Sequence, residues 1–140
     1  MRWLSELGDG ILMLESAVQQ RVRLELARMG AIVQRNNVGV AQTHEGRQVR
    51  FGLMNESKQQ NRQWKSSDLI NVVPVLIQPH HVGRVLGVYA AIECKHSDWH
   101  MTPSDARAQA QQRYIDLIRS VGGIGGFVTD PGQVTDLCRL

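Results

Sequence analysis

AIECKHSDW, residues 91–99, drives an apolar run into a glutamate and a lysine two positions apart. Read as the end of a strand over 84–95 (RVLGVYAAIECK), period-two alternation sets Glu93 and Lys95 on one face and Ile92 and Cys94 on the other. A carboxylate and an ammonium at the end of an otherwise apolar strand are costly unless paired, metal-bound or solvated. For a bare E-x-K a strand-end salt bridge is the simplest account. What the pair does beyond that depends on the partners the rest of the chain brings to it.

Immediately upstream, DLINVVPVLI (68–77) reads as a second strand, with Pro74 marking an edge position or a bulge. QPHHVG then turns the chain, which predicts a hairpin of 68–77 with 84–95 and places Asp68 opposite Glu93. Two carboxylates at one sheet end repel unless a proton or a cation intervenes, and a divalent ion would hold them together.

Further out, LESAVQQRVRLELARM (14–29) predicts a helix with Leu14, Val18, Val22, Leu26 and Met29 as its apolar stripe, ended by Gly30. Glu15 borders that stripe, and an acid in a first helical turn is favourable for its own sake. AIVQR (31–35) and QVRF (48–51) read as two strands that pair. Residues 52–67 form a polar loop carrying Lys58, Arg62, Trp64 and Lys65. An aromatic among cations can stack on a base while the cations hold phosphates; a solvated loop has the same composition.

Downstream, Thr102-Pro103-Ser104-Asp105 predicts a helix start, with Thr102 as cap, Pro103 at N1 and Asp105 at N3. That helix runs to Val121 with Ala110, Tyr114, Leu117, Ile118 and Val121 facing inward, and Gly122-Gly123 stop it. IGGFVT (124–129) is a glycine-bearing strand, and PGQVTDLCRL closes with a helical turn. This order predicts an α/β or α+β sandwich around a mixed sheet.

The chain has 140 residues, enough for one domain with a core of its own. Hydrophobic residues make up 42% and charged residues 21%, an ordinary globular balance. The net charge of +3 conceals thirteen Arg against three Lys. Arginine suits bidentate phosphate contacts, so the balance leans toward a nucleic-acid partner. Two cysteines, Cys94 and Cys138, match neither a disulfide framework nor a zinc ribbon, and the reducing cytoplasm is the expected compartment. No apolar run approaches the ~18 residues of a membrane span. The opening MRWLSELGDGILML lacks the basic n-region and cleavage site of a signal peptide.

Asp68 followed by Glu93-x-Lys95 is the layout of the PD-(D/E)xK nucleases. The surrounding residues sharpen that likeness. They are the glutamate-bearing helix ESAVQQRVRLELARMG, the hairpin NNVGVAQTHEGRQVRFG, the step SSDLI, the ECK strand, the helix QQRYIDLIRSVGG and the strand IGGFVTD. In order and spacing, over roughly residues 14–130, the chain resembles the VRR-NUC (virus-type replication-repair nuclease) branch of that superfamily. The first thirteen residues lie outside the match and form an N-terminal extension.

The resemblance implies a restriction-endonuclease-like α/β fold, a mixed β-sheet flanked by helices. It implies that Glu15, Asp68 and Glu93 form an acidic cluster, with Asp68, Glu93 and the backbone carbonyl of Cys94 as ligands of Mg²⁺ or Mn²⁺. Glu15 would act through water or at a second metal. Lys95 would be the catalytic lysine and Gln111 the helix glutamine, with Gln112 as the rival assignment. Ser66 and Ser67 stand where many members carry glycine or proline, a departure that touches backbone shape. The implied activity is hydrolysis of DNA to a 5′-phosphate and a 3′-hydroxyl. Stand-alone members this small resemble phage nucleases that work as homodimers on branched DNA in the cytoplasm of a bacterial host. The expected protein is therefore a structure-selective endonuclease of the Holliday-junction-resolvase kind, serving phage replication, recombination or packaging. A nicking or end-processing nuclease, or a DNA-binding accessory module without catalysis, is the alternative.

Other candidates are weaker. His80-His81 lie in a turn, and His96 and His100 flank Asp98 too sparsely for a zinc set. Cys94 is expected in the core as a small hydrophobe. Of Arg47 and Arg50 at most one can reach a phosphate from a shared face, and Arg50 is taken with the loop cations as a DNA contact. Gly122, Gly123, Gly125 and Gly126 follow a helix instead of preceding one, which argues against a phosphate loop.

Overall fold

The computed structural model describes residues 5–7, 10–12 and 14–140 and divides into two compact units, Met1–Ala27 with Val33–Asn71 and Arg28–Ile32 with Val72–Leu140. Helices and short strands alternate in a mixed α/β chain. Of the N-terminal extension, the described part is a three-residue antiparallel pair, β1 (Ser5–Leu7) with β2 (Gly10–Leu12). No described helix is long and apolar enough to cross a membrane.

In the first unit, α1 (Glu15–Arg28) starts with an acid where the helix dipole favours one. The expected stripe is only partly covered: Leu14 and Leu26 are half-buried, whereas Val18, Val22 and Met29 are exposed. The hairpin is β3 (Gly39–Gln42) with β4 (Gln48–Phe51), in register Gly39↔Phe51 to Gln42↔Gln48. QVRF therefore pairs with residues 39–42 and not with 31–35 as expected. The reason is local. Thr43 and Arg47 close a tight turn through Gly46, whose φ of +80° suits glycine, and a short loop costs less entropy to close than a long one.

Asn55, 2% exposed, locks the hairpin to the chain that follows it. Its amide donates to the carbonyls of Gly39 and Phe51, both at 2.8 Å, and its oxygen accepts from Arg50 Nη1 at 2.7 Å. The stretch expected as a loop, 52–67, contains α2 (Lys58–Gln63), because Ser57 caps it by accepting from the Gln60 N–H at 3.0 Å.

In the second unit the expected hairpin of 68–77 with 84–95 is replaced by a different pairing. β5 (Ala90–Cys94) runs parallel to β6 (Ile124–Val128), from Ala90↔Ile124 to Cys94↔Val128. A parallel pair needs a crossover, and α3 (Ala106–Ser120) supplies it. The segment 68–77 forms no strand of its own. Two isolated antiparallel bridges, Arg35↔Leu69 in the first unit and Ile32↔Val72 in the second, take up its first residues. Pro74 removes the next donor that a longer ladder needs.

α3 and α4 (Gln133–Leu137) pack against β6, and glycines let them approach. A Cβ on Gly125 would stand 2.9 Å from Ile115 Cγ2, and one on Gly126 would stand 2.7 Å from Leu137 Cδ1. Adjacent residues of a strand face opposite ways, so the two glycines serve opposite faces. The buried face of α3 is Ala108, Ile115 and Ile118, while Tyr114 and Leu117 are exposed. That corrects the expected stripe, as does the cap: Asp105, not Thr102, starts the helix and accepts from the Ala108 N–H at 2.9 Å.

Candidate active site

Alternation along β5 is as expected, but the covered face is the charged one. Ala91, Glu93 and Lys95 are half-buried, whereas Ile92 and Cys94 are exposed. The expected core position of Cys94 is thus corrected: its side chain shares the sheet face of Ile92, away from the side on which Lys95 meets α3.

Three contacts make that charged face tenable. Lys95 Nζ donates to the side-chain oxygen of Gln111 on α3 at 2.8 Å. It lies 3.9 Å from Glu93 Oε1, at the outer edge of an ion pair. It also sits 5.4 Å from the ring centroid of Trp99 and 5.8 Å from that of Phe127. Those two rings touch, with centroids 4.7 Å apart. The ammonium's side chain is 15% exposed and that of Glu93 36%. The shortest contact of the lysine is therefore with a neutral amide, and the carboxylate stays open to ligands. A closed strand-end salt bridge would show the reverse.

Each part of this cluster has a local cause. The backbone N–H of Lys95 donates to the Val128 carbonyl at 2.9 Å, extending the β5–β6 ladder one residue and fixing the lysine's direction. Phe127 is the register partner of Glu93. A turn in which the Trp99 N–H donates to the His96 carbonyl at 3.0 Å folds the indole back under Lys95. On α3, Gln111 lies four and seven residues before the buried Ile115 and Ile118, so it shares their face. Gln112 instead donates to Asp116 at 2.8 Å along the helix, so of the two glutamines Gln111 is the one that reaches the lysine.

Trp99 and Phe127 were not among the residues expected from sequence. Trp99 stands four residues past Lys95, a spacing without meaning until the turn is known. Phe127 depends on the parallel register of β6.

The remaining expected residues lie in the first unit. Glu15 is the exposed first residue of α1. Asp68 is exposed, and its carbonyl accepts from the Asn36 N–H at 2.9 Å. The serines before it are used: the Asn36 amide donates to Ser66 Oγ and to the Ser67 carbonyl, both at 2.8 Å, and Ser66 Oγ donates to the Leu53 carbonyl at 2.8 Å. Asn36 thereby anchors the approach to Asp68. No ladder joins the Asp68 segment to β5: Leu69 bridges to Arg35, and β5 pairs with β6.

Of the expected DNA contacts, Lys58, Arg62, Trp64 and Lys65 are exposed on or beside α2, with Trp64 as its C-terminal cap residue. Lys65 Nζ reaches back to Asn61 Oδ1 at 2.5 Å. Arg50 differs from these: it is half-buried, with one guanidinium nitrogen committed to Asn55.

Glu93 and the Cys94 carbonyl are hard oxygen donors of the kind magnesium accepts, and the open carboxylate fits that use. No group of three or more His, Cys, Asp or Glu side chains converges on one point among the described residues. Compared with protein-family models, curated proteins and solved structures, the chain matches none.

Proposed function

We infer that the chain is a Mg²⁺- or Mn²⁺-dependent DNA endonuclease with a restriction-endonuclease-like fold, similar to the VRR-NUC nucleases. The observation that carries the reading is the state of Lys95. It is a nearly buried ammonium aimed by Gln111 and held over two rings, beside a carboxylate left open.

In this reading Glu93 and the Cys94 carbonyl are the metal ligands of the second unit. The family resemblance, not their placement, assigns Asp68 to that metal and gives Glu15 a role through water or at a second metal. When bound, a divalent ion would supply a water acidic enough to attack and would neutralise charge on the scissile phosphate. Lys95 orients that water or donates to the charge developing on phosphate, and Gln111 holds the ammonium in place. Water attacks phosphorus and the P–O3′ bond breaks, leaving a 5′-phosphate and a 3′-hydroxyl. The cations around Trp64 contact DNA away from the reacting centre.

A homodimer acting on branched DNA, in the manner of a junction resolvase, completes the reading, with phage replication, recombination or packaging as its setting and the cytoplasm of a bacterial host as its location. Two copies present two sites to two strands. Support for self-association comes from the second unit, where Leu76 is 80% and Val85 98% exposed. Such apolar exposure is a feature of interaction surfaces.

The test is Mg²⁺-dependent cleavage of a labelled four-way junction, flap, nicked duplex, linear duplex and single strand, with Glu93→Ala and Lys95→Ala alongside. Paired cuts in the junction, absent in both variants, are expected. Cutting of all five substrates would remove the junction preference. Wild type that cuts none of them, in Mg²⁺ or Mn²⁺, would refute the nuclease reading and favour a binding module.

A further inference from the structure

Beside Glu93 and Gln111 the second unit holds a cavity of about 440 Å³ between β5 and α3. Glu93 and Gln111 are part of its lining, and its other lining residues take no part in the proposed chemistry. Its size lies within the range of about 300–1,000 Å³ typical of small-molecule sites. Its apolar lining includes Ala91, Ala110 and Ile115. One wall carries two phenols, Tyr89 and Tyr114, whose hydroxyl oxygens are 3.1 Å apart. A hydroxyl both donates and accepts, so the pair can meet either kind of edge on a nucleobase. Arg107 lines the same cavity from the first turn of α3. That is a poor place for a cation in helix terms, because the macrodipole favours an anion there. A phosphate beside Arg107 would pair with its guanidinium, while the helix end itself is already capped by Asp105.

Arg107 and Gln111 are four residues apart, as are Ala110 and Tyr114, so one helical face joins the cavity to the lysine-holding amide. A polynucleotide with its scissile phosphate at Glu93 must place the neighbouring sugar and base somewhere close. An apolar, base-sized recess with a polar wall and a cation is the chemistry that accepts them.

We propose that this cavity receives one unstacked nucleotide of the substrate DNA, flanking the scissile phosphate, with its base against the Tyr89–Tyr114 wall and its phosphate on Arg107. The proposal rests on the nuclease reading for its placement, and it gives that reading a source of structure selectivity. A base already unpaired at a branch enters without the unstacking that a continuous duplex demands. Arg107 and Tyr114 are then binding residues and take no part in the chemistry.

The test is run in EDTA, so that no cleavage is required. A single-stranded DNA hexanucleotide carrying a central 2-aminopurine is titrated with the full chain, and base fluorescence is followed. Wild type is expected to give a saturable change. Ala110→Trp, which fills the recess, is expected to abolish it. Arg107→Ala is expected to weaken binding about tenfold, with partial rescue by Arg107→Lys. Arg119→Ala, which removes an exposed cation from the last turn of α3, is expected to bind as wild type does. Thermal melts of each variant identify any that fail to fold, and Arg107→Ala, an exposed first-turn change, decides the matter if Ala110→Trp is lost.

No saturable change with wild type, or equal affinity for wild type and Arg107→Ala, would overturn the proposal. If wild type cuts DNA in Mg²⁺ while Ala110→Trp and Arg107→Ala keep its KM and affinity, the cavity proposal falls alone. If wild type cuts nothing but binds the hexanucleotide in the manner Ala110→Trp blocks, the nuclease reading falls and the nucleotide site stands.

Discussion

Lys95 and Gln111, sixteen residues apart in the chain, meet at 2.8 Å because a strand end and one face of α3 converge on the same point. The contact turns a flexible ammonium into a directed donor. If it serves catalysis, Lys95→Ala should lower the single-turnover cleavage rate on a four-way junction by about 10²–10³-fold, the usual loss when one transition-state donor is removed. Gln111→Ala should cost less, about tenfold, because the ammonium remains and only its aim is lost. Equal rates for Gln111→Ala and wild type would separate the contact from catalysis.

The aromatic pair beneath the lysine makes a second, independent claim. A cation–π contact on a largely desolvated ammonium contributes about 2 kcal/mol. Trp99→Ala should therefore destabilise the protein by roughly that amount plus the lost ring contact with Phe127, as measured by urea denaturation. Trp99→Phe should recover most of the cleavage rate while Trp99→Leu does not. Equal recovery by leucine would reduce the ring to a hydrophobic filler.

Metal binding can be read without activity. Glu93→Gln should weaken Mn²⁺ binding at least tenfold in calorimetry, since a neutral amide replaces a charged ligand. Asp68→Asn should do the same if the family assignment of Asp68 is right. Unchanged affinity in Asp68→Asn would leave Glu93 as a ligand and remove Asp68.

Asn55 predicts a structural loss in the first unit, apart from any chemistry. Asn55→Ala leaves the Gly39 and Phe51 carbonyls without its amide and frees the Arg50 guanidinium. Each buried polar group left unpaired costs about 1–3 kcal/mol. A fall of that order in unfolding free energy is expected. Cleavage by the folded fraction should be retained, because Asn55 touches none of the proposed catalytic residues.

The exposed apolar segment of the second unit bears on assembly. Light scattering at micromolar concentration should give the mass of two chains, and Leu76→Asp with Val85→Asp should give the mass of one. A wild-type monomer would refute the dimer.

Much of the local structure was legible along the chain. Helix α1 stops just before Gly30, α3 just before Gly122, and β6 lies where the glycine-bearing strand was expected, because these signals depend on neighbours a few residues away. Pairing was not legible. Both expected partnerships, 31–35 with 48–51 and 68–77 with 84–95, gave way to β3–β4 and to the parallel β5–β6. Period-two patterns show which residues share a face but carry no label for the strand that will lie alongside.

The sequence by itself determined the alternation of Glu93 and Lys95 along one face and the helix that carries Gln111. Only the tertiary structure decided that this charged face is the covered one, that Trp99 and Phe127 lie under the ammonium, and that a base-sized recess opens beside it. The physical reason is that burial and close approach are set by contacts distant in sequence. Gly125 admits Ile115 of α3, and the register of β6 puts Phe127 against Glu93; neither can be read from the nine residues AIECKHSDW alone.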